Sequence, residues 1–314
     1  TLFRSNEQLL HLKAVLEVSF QGVIIEMGEE QPKAEEQDSA AAFITAKRIE
    51  GCSEKTLTYY SKTIAAMLNG VGKSPQQITT DDLRRYLTDY QTQRRSSKVT
   101  IDNIRRILSS FFSWLEDEDF IVKSPVRRIH KVKTAKIIKE TYTDEALELM
   151  RDNCSTVRDL AIIDLLASSG MRVGELVTLN REDINFNERE CVVFGKGNKE
   201  RLAYFDARTK IHLQNYLDER SDSNPALFVT LKEPHERLMI GGVETMLREL
   251  GRRLKLNKVH PHKFRRTLAT SAIDKGMPIE QVQQLLGHQK IDTTMHYAMV
   301  KQQNVKLAHR KFIG

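Results

Sequence analysis

Between residues 39 and about 117, apolar residues return every three or four positions. Leu57, Tyr60, Ile64, Met67 and Leu68 make one such stripe, and Ile101, Ile104, Leu108, Phe111, Phe112 and Leu115 make another. That spacing puts each set on one side of a helix. Ser53 supplies a cap before the first stripe. Thr80, followed by Asp81 and Asp82, marks another helix start, because negative charge favours the unpaired N–H groups there. The pattern predicts a small four-helix module. Ahead of it, residues 5–18 predict a helix with Leu9, Leu12, Val15 and Leu16 on one side, and GEEQPKAEEQDS then reads as an acidic, turn-rich linker.

Beyond residue 140 the pattern changes. Thr143 caps a helix from Asp144, and VRDLAIIDLLASSG predicts a mostly apolar helix that stops at Gly170. ECVVFGKGNKERLAYFD places Val, Phe and Tyr on both sides of a Gly/Asn turn, which predicts a β-hairpin. Helices follow over IHLQNYLDE, VETMLRELGRRL, HKFRRTLATSAIDKG and PIEQVQQLLG, with a last one beginning near Asp292 or Thr293. Gly276 and Pro278 give a stop and a restart, with the proline in the first turn. The expected fold is mainly α. A helical domain covers 39–129, a basic linker 130–140, and a mixed α/β domain with a small antiparallel sheet 141–314, while 1–38 holds the N-terminal helix and the acidic linker.

A chain of 314 residues with 40% hydrophobic content is long enough for two such domains. The formal charge is +7, and its distribution says more than its total. Residues 1–40 carry 3 Lys and Arg against 8 Asp and Glu, whereas residues 41–133 carry 17 against 10. A polyanion-facing surface is therefore expected after residue 40. Arg94, Arg95, Lys98, Arg105 and Arg106 cluster on the side of the helices opposite the apolar stripe. In the linker HKVKTAKIIKE, Lys131, Lys133, Lys136 and Lys139 suit either a phosphate backbone or a solvated connector. Cys52, Cys154 and Cys191 are odd in number and far apart, which predicts reduced thiols in a cytoplasmic protein. No apolar run is long enough to span a bilayer, so no membrane partner is expected. The chain opens on a threonine, and the natural protein is expected to begin earlier.

Four stretches of the second half carry candidate chemistry. In SSGMRVGELVTL, Arg172 follows a helix-ending glycine, and the plain reading is a salt bridge to Glu175. In GKGNKER, Lys196 sits at a hairpin tip, where lysine commonly only solubilises; the spacing is not that of a nucleotide-binding loop. In HPHKFRR, His262 and Arg265 are three apart, so both can face one anion. In LLGHQKIDTTMHYAMV, His288, His296 and Tyr297 follow a glycine-ended helix. The histidines lack metal-ligand spacing, no cysteine lies near them, and the acids read as scattered over exposed positions; no metal and no cofactor is expected. What remains is arginine, lysine, histidine and tyrosine. That set suffices for metal-free cleavage of a phosphodiester: arginine forks neutralise the non-bridging oxygens, a lysine protonates the leaving oxygen, and a phenolate attacks.

The ordered set resembles the tyrosine recombinase, or phage integrase, family, including conjugative-transposon and phage integrases and the Xer recombinases. The family carries G-[LM]-R-x-x-E-L, a GKGxKxR hairpin, an HxxR pair, a histidine after LLGH, and a tyrosine nine residues later. These positions fall here on Arg172, Lys196, His262 with Arg265, His288 and Tyr297. Arg266 stands where relatives often have histidine. The resemblance implies a helical core-binding domain and a tyrosine recombinase catalytic domain, closing as a clamp on duplex DNA. It implies that Tyr297 forms a 3'-phosphotyrosyl intermediate, with Arg172 and Arg265 on the phosphate, Lys196 as acid, and His262 and His288 assisting through hydrogen bonding and proton handling, His262 being favoured over His288 as the base. Implied too are DNA recombination sites as partner, a dimer on one site, a tetramer in synapsis, accessory bending or excision factors, a nucleoid location, and a C-terminal tail that docks on a neighbouring protomer. Two readings compete with it: a type IB topoisomerase-like relaxing enzyme, and a noncatalytic DNA-binding accessory protein.

Overall fold

The structure is a computed structural model and describes residues 13–15, 38–133, 140–195, 200–295, 309 and 313. Of the helix expected at 5–18, only 13–15 fall among these, and they are helical. The chain divides into two compact units, Thr1–Lys136 and Ile137–Gly314.

The first unit holds α1 (Ser39–Ile49), α2 (Glu54–Val71), α3 (Thr80–Arg94) and α4 (Lys98–Asp117). Each start is capped by an oxygen that accepts otherwise unpaired N–H groups. Asp38 serves α1, Ser53 serves α2 and Ser97 serves α4. The cap of α3 is Thr79, one residue before the threonine expected to mark that start. Thr79 and Asp82 close a reciprocal capping box, while the Thr80 hydroxyl donates to the Pro125 carbonyl at 2.8 Å. The predicted stripes meet inside the module. Phe43 from α1 packs edge-on against Phe111 at 5.3 Å between ring centres, and Ile64, Met67, Leu83, Leu108 and Phe112 fill the space around them. Each such side chain contributes roughly 1.5–3 kcal/mol by leaving water.

The second unit runs α5 (Asp144–Asp152), α6 (Val157–Ser169), α7 (Val173–Thr178), β1 (Ile184–Asn185), β2 (Glu190–Phe194), β3 (Glu200–Tyr204), α8 (Ala207–Asp218), α9 (Ile240–Arg253), α10 (Pro261–Asp274), α11 (Ile279–Leu286) and α12 (Ile291–Met295). The expected hairpin is β2–β3, with Val193 opposite Arg201, and β1 adds a third antiparallel strand on the other edge of β2. Neither β1, only two residues long, nor the six-residue α7 was expected from the pattern. Pro278 caps α11 from outside rather than lying in its first turn, and α12 begins at Ile291.

α6 passes through the core, burying Ala161, Ile162, Ile163, Leu165 and Leu166. It ends at Gly170, whose φ of 60° is the left-handed turn that glycine adopts without strain. The expectation that the acids lie at exposed positions is wrong here. Asp159, Asp164 and Glu175 are buried. Each is held against cations, as a buried carboxylate must be to remain charged. Asp164 accepts from Arg151 Nε at 2.5 Å and is paired with His212 Nδ1. Among the described residues no helix is long and apolar enough to cross a membrane.

Candidate active site

Arg172 stands at the entrance to α7, immediately before its first residue. Its backbone N–H donates to Glu175 Oε2 at 2.9 Å, and its Nη1 donates to Glu175 Oε1 at 2.7 Å. The plain salt-bridge reading of this arginine therefore holds, and it is compatible with a second task. The Arg172 side chain remains about one-third exposed (36%), while that of Glu175 is buried. The buried carboxylate fixes the guanidinium and leaves part of it open to solvent.

Glu175 serves a second cation. Arg201 on β3 donates from Nη2 to Glu175 Oε2 at 2.7 Å and from Nη1 to the Leu285 carbonyl of α11 at 3.1 Å. Burial pushes the Glu175 carboxyl up, but the Arg172 backbone N–H and the charges of Arg201 and Arg172 outweigh it and hold the group below its ordinary value. Sequence reasoning missed Arg201. Its one local signal was the last position of GKGNKER, where a strand arginine facing inward needs a buried acid.

Arg265 lies in α10 and is 3% exposed. Its Nη1 donates to the Gly170 carbonyl at 2.7 Å, and its Nη2 donates to the Leu286 carbonyl. One planar fork thus ties the end of α6 to the end of α11. Carbonyls at helix C-termini carry partial negative charge, which suits a cation. His262 is exposed in the first turn of the same helix, one turn before Arg265.

Gly287 ends α11 with φ of 64°, and the His288 N–H closes the turn on the Gln283 carbonyl at 3.0 Å. The His288 ring is buried, with Nδ1 2.8 Å from the Thr294 hydroxyl of α12. Burial first, then the charges of Arg265, Arg172 and Arg201, push its pKa down to about 4. At neutral pH His288 is an uncharged imidazole, able to share hydrogen bonds and unable to add positive charge.

The structure therefore brings Arg172, Arg265 and His288 together, and places His262 at the start of the helix that carries Arg265. Lys196, His296 and Tyr297 lie outside the described residues. β3, the strand that follows Lys196 in the sequence, is anchored by Arg201. Among the described residues no His, Cys, Asp and Glu side chains gather in a group able to hold a metal ion.

On the helical module Arg94, Arg95, Lys98 and Arg106 are exposed, as are Lys131 and Lys133 further along. Arg94 lies over the Tyr90 ring at 4.8 Å. Arg105 differs from its neighbours: its Nε donates to Asp102 at 2.9 Å and its side chain is 15% exposed. Most of its charge is committed internally. Lys136 and Lys139 lie outside the described residues.

Residues 135–304 match the model of the phage integrase family, and residues 40–121 match that of the phage integrase N-terminal SAM-like domain. The chain belongs to the phage integrase family and is a tyrosine recombinase. Among its relatives is a protein named tyrosine recombinase XerC from Leptospira interrogans serogroup Icterohaemorrhagiae serovar copenhageni, 32% identical over 291 residues, which cover 87% of this chain and 92% of that protein. The fold is similar to that of the XerH site-specific recombinase bound to a palindromic difH substrate, with TM-score 0.70, 20% identity and coverage of 86% and 83% of the two chains. It is also similar to a lambda integrase (75-356) dimer bound to a COC' core site, with TM-score 0.69, 21% identity and coverage of 82% and 93%.

Proposed function

We infer that this chain is a site-specific DNA recombinase that cuts and rejoins duplex DNA by transesterification. The observation that carries the reading is the convergence of Arg172, Arg265 and His288, two fixed arginine forks beside a neutral imidazole. Such a group suits the trigonal oxygens of a phosphodiester in transit, whose charge must be balanced without reorganising the protein.

In this reading the Tyr297 oxygen attacks the scissile phosphorus, displacing the 5' oxygen and leaving a 3'-phosphotyrosyl bond. Arg172 and Arg265 take the non-bridging oxygens. Lys196 gives a proton to the leaving 5' oxygen, and His262 accepts the tyrosine proton. His288 hydrogen-bonds the phosphate. A 5'-hydroxyl from the partner strand then attacks the phosphotyrosine and restores the phosphodiester. One ester replaces another at each step, so the bond energy is conserved without a nucleotide or a metal.

We read residues 39–129 as the core-binding domain, 130–140 as the linker and 141–314 as the catalytic domain, with 1–38 as an N-terminal helix and acidic linker. The division of the chain between Lys136 and Ile137 and the two family matches support this reading. The partner is double-stranded DNA bearing recombination sites, taken as a dimer on one site and a tetramer when two sites meet, with accessory bending or excision factors. The work belongs on nucleoid DNA in the cytoplasm. The relatives described above are recombinases and an integrase, which favours strand exchange over relaxation of supercoils or noncatalytic binding.

Incubating the full chain with a library of nicked duplexes should trap a covalent protein–DNA adduct. Tyr297→Phe should lose the adduct entirely while still binding DNA. Equal adduct from both proteins would exclude Tyr297 as the nucleophile.

A further inference from the structure

Thr294 is 0% exposed and sits in α12, three positions before Tyr297 in the sequence. Several threonines in the helices of this chain donate their hydroxyl proton to the carbonyl four residues back. Thr45 does so to Ala41 at 3.0 Å, Thr63 to Tyr59 at 2.8 Å, Thr88 to Arg84 at 2.8 Å and Thr267 to Lys263 at 2.8 Å. Thr294 does not. Four residues before it lies Lys290, whose carbonyl accepts from the Thr293 backbone at 3.1 Å. Among the described residues the Thr294 hydroxyl has a single hydrogen-bond partner, Nδ1 of His288 at 2.8 Å.

That geometry fixes where the protons are. A hydroxyl carries one proton and must place it on an acceptor when it is shut away from water, because a buried unmatched donor is costly. Were Nδ1 protonated, it would donate to Oγ1, and the hydroxyl proton would be left with no acceptor. With Nδ1 bare, the hydroxyl donates to it and the ring proton lies on Nε2. Only the second arrangement gives the hydroxyl proton an acceptor.

We propose that Thr294 is a positioning residue that holds His288 in the Nε2-protonated tautomer, so that His288 acts on the phosphate as a hydrogen-bond donor and takes no proton during the reaction. The proton from the nucleophile must then go to another group, the role given above to His262. The bond also ties the glycine-ended turn of His288 to α12. This rests on the reading of His288 as part of a phosphodiester-cleaving site.

The test separates the two ideas. Nitrogen NMR of the histidine-labelled full chain, without DNA, reads the tautomer directly, with the His288 signals assigned by their loss in His288→Gln. Wild type and Thr294→Ser should show Nε2 protonated and Nδ1 bare at neutral pH. Thr294→Val keeps the shape, removes the hydroxyl and should release the ring to a mixture. On the duplex recovered by covalent trapping, Thr294→Val should form adduct about tenfold more slowly at unchanged DNA affinity, with Thr294→Ser restoring the rate. Nδ1 protonation in the wild type would overturn the proposal, even if the valine variant fails to fold. So would a valine variant with the wild-type tautomer and rate. If no duplex yields adduct, the recombinase reading fails, while the tautomer measurement still decides the role of Thr294.

Discussion

Glu175 carries one negative charge between two guanidiniums, and it is the residue on which the candidate site is assembled. Replacing it by glutamine keeps the shape and removes the charge. Both Arg172 and Arg201 then lose their counterion, and the expected cost is about 3 kcal/mol, read as a lower urea midpoint. The pH dependence has a definite sign. The folded-state pKa of Glu175 is depressed, so its contribution is complete above the ordinary carboxylate range. It is lost as pH falls through the depressed value, because the unfolded chain takes up that proton first. The stability gap between wild type and Glu175→Gln should therefore be widest near neutrality and shrink in acid. A gap that does not change with pH would mean that Glu175 is not charged in the folded protein.

Among the elements, the turn that ends α11 is the most constrained. Gly287 has φ of 64°, and a Cβ there would lie 2.5 Å from Arg201 Cδ and 2.9 Å from its Nε. Gly287→Ala should cost about 2 kcal/mol, combining the left-handed backbone penalty with displacement of Arg201 from Glu175. Thermal denaturation measures the loss, and an unchanged midpoint would show that the turn can shift freely.

Long helices were legible in the sequence because a stripe such as Ile101 to Leu115 repeats over several turns, and Arg172, Arg265 and His288 were legible because each stands in a short motif. β1 and α7 were not, since two residues show no alternation and six give less than two turns. Arg201 and Thr294 were hidden for a different reason. Arg201 meets Glu175 26 residues away and Leu285 84 residues away, and no local pattern records such a pairing. The Thr294 hydroxyl reads as any other helical threonine until its neighbour is placed.

Across the whole molecule, positive charge is set unevenly, with an acidic first 40 residues and a strongly basic stretch after them. If the helical module tracks DNA phosphates, exposed Arg106 and internally paired Arg105 should behave differently despite being adjacent. Arg106→Ala should lower the slope of log affinity against log salt by about one and weaken binding to all sequences alike. Arg105→Ala should change that slope much less and act through the lost Asp102 contact. Equal slopes for the two variants would remove the basis for distinguishing them. Arg265, held by the ends of two helices, has a further consequence. A long cationic side chain can lose about 2 kcal/mol of rotamer entropy when it is immobilised. Here that loss falls when the second unit folds, so if Arg265 takes a DNA phosphate as proposed, that phosphate meets a guanidinium whose direction is already chosen, and the encounter need not freeze it.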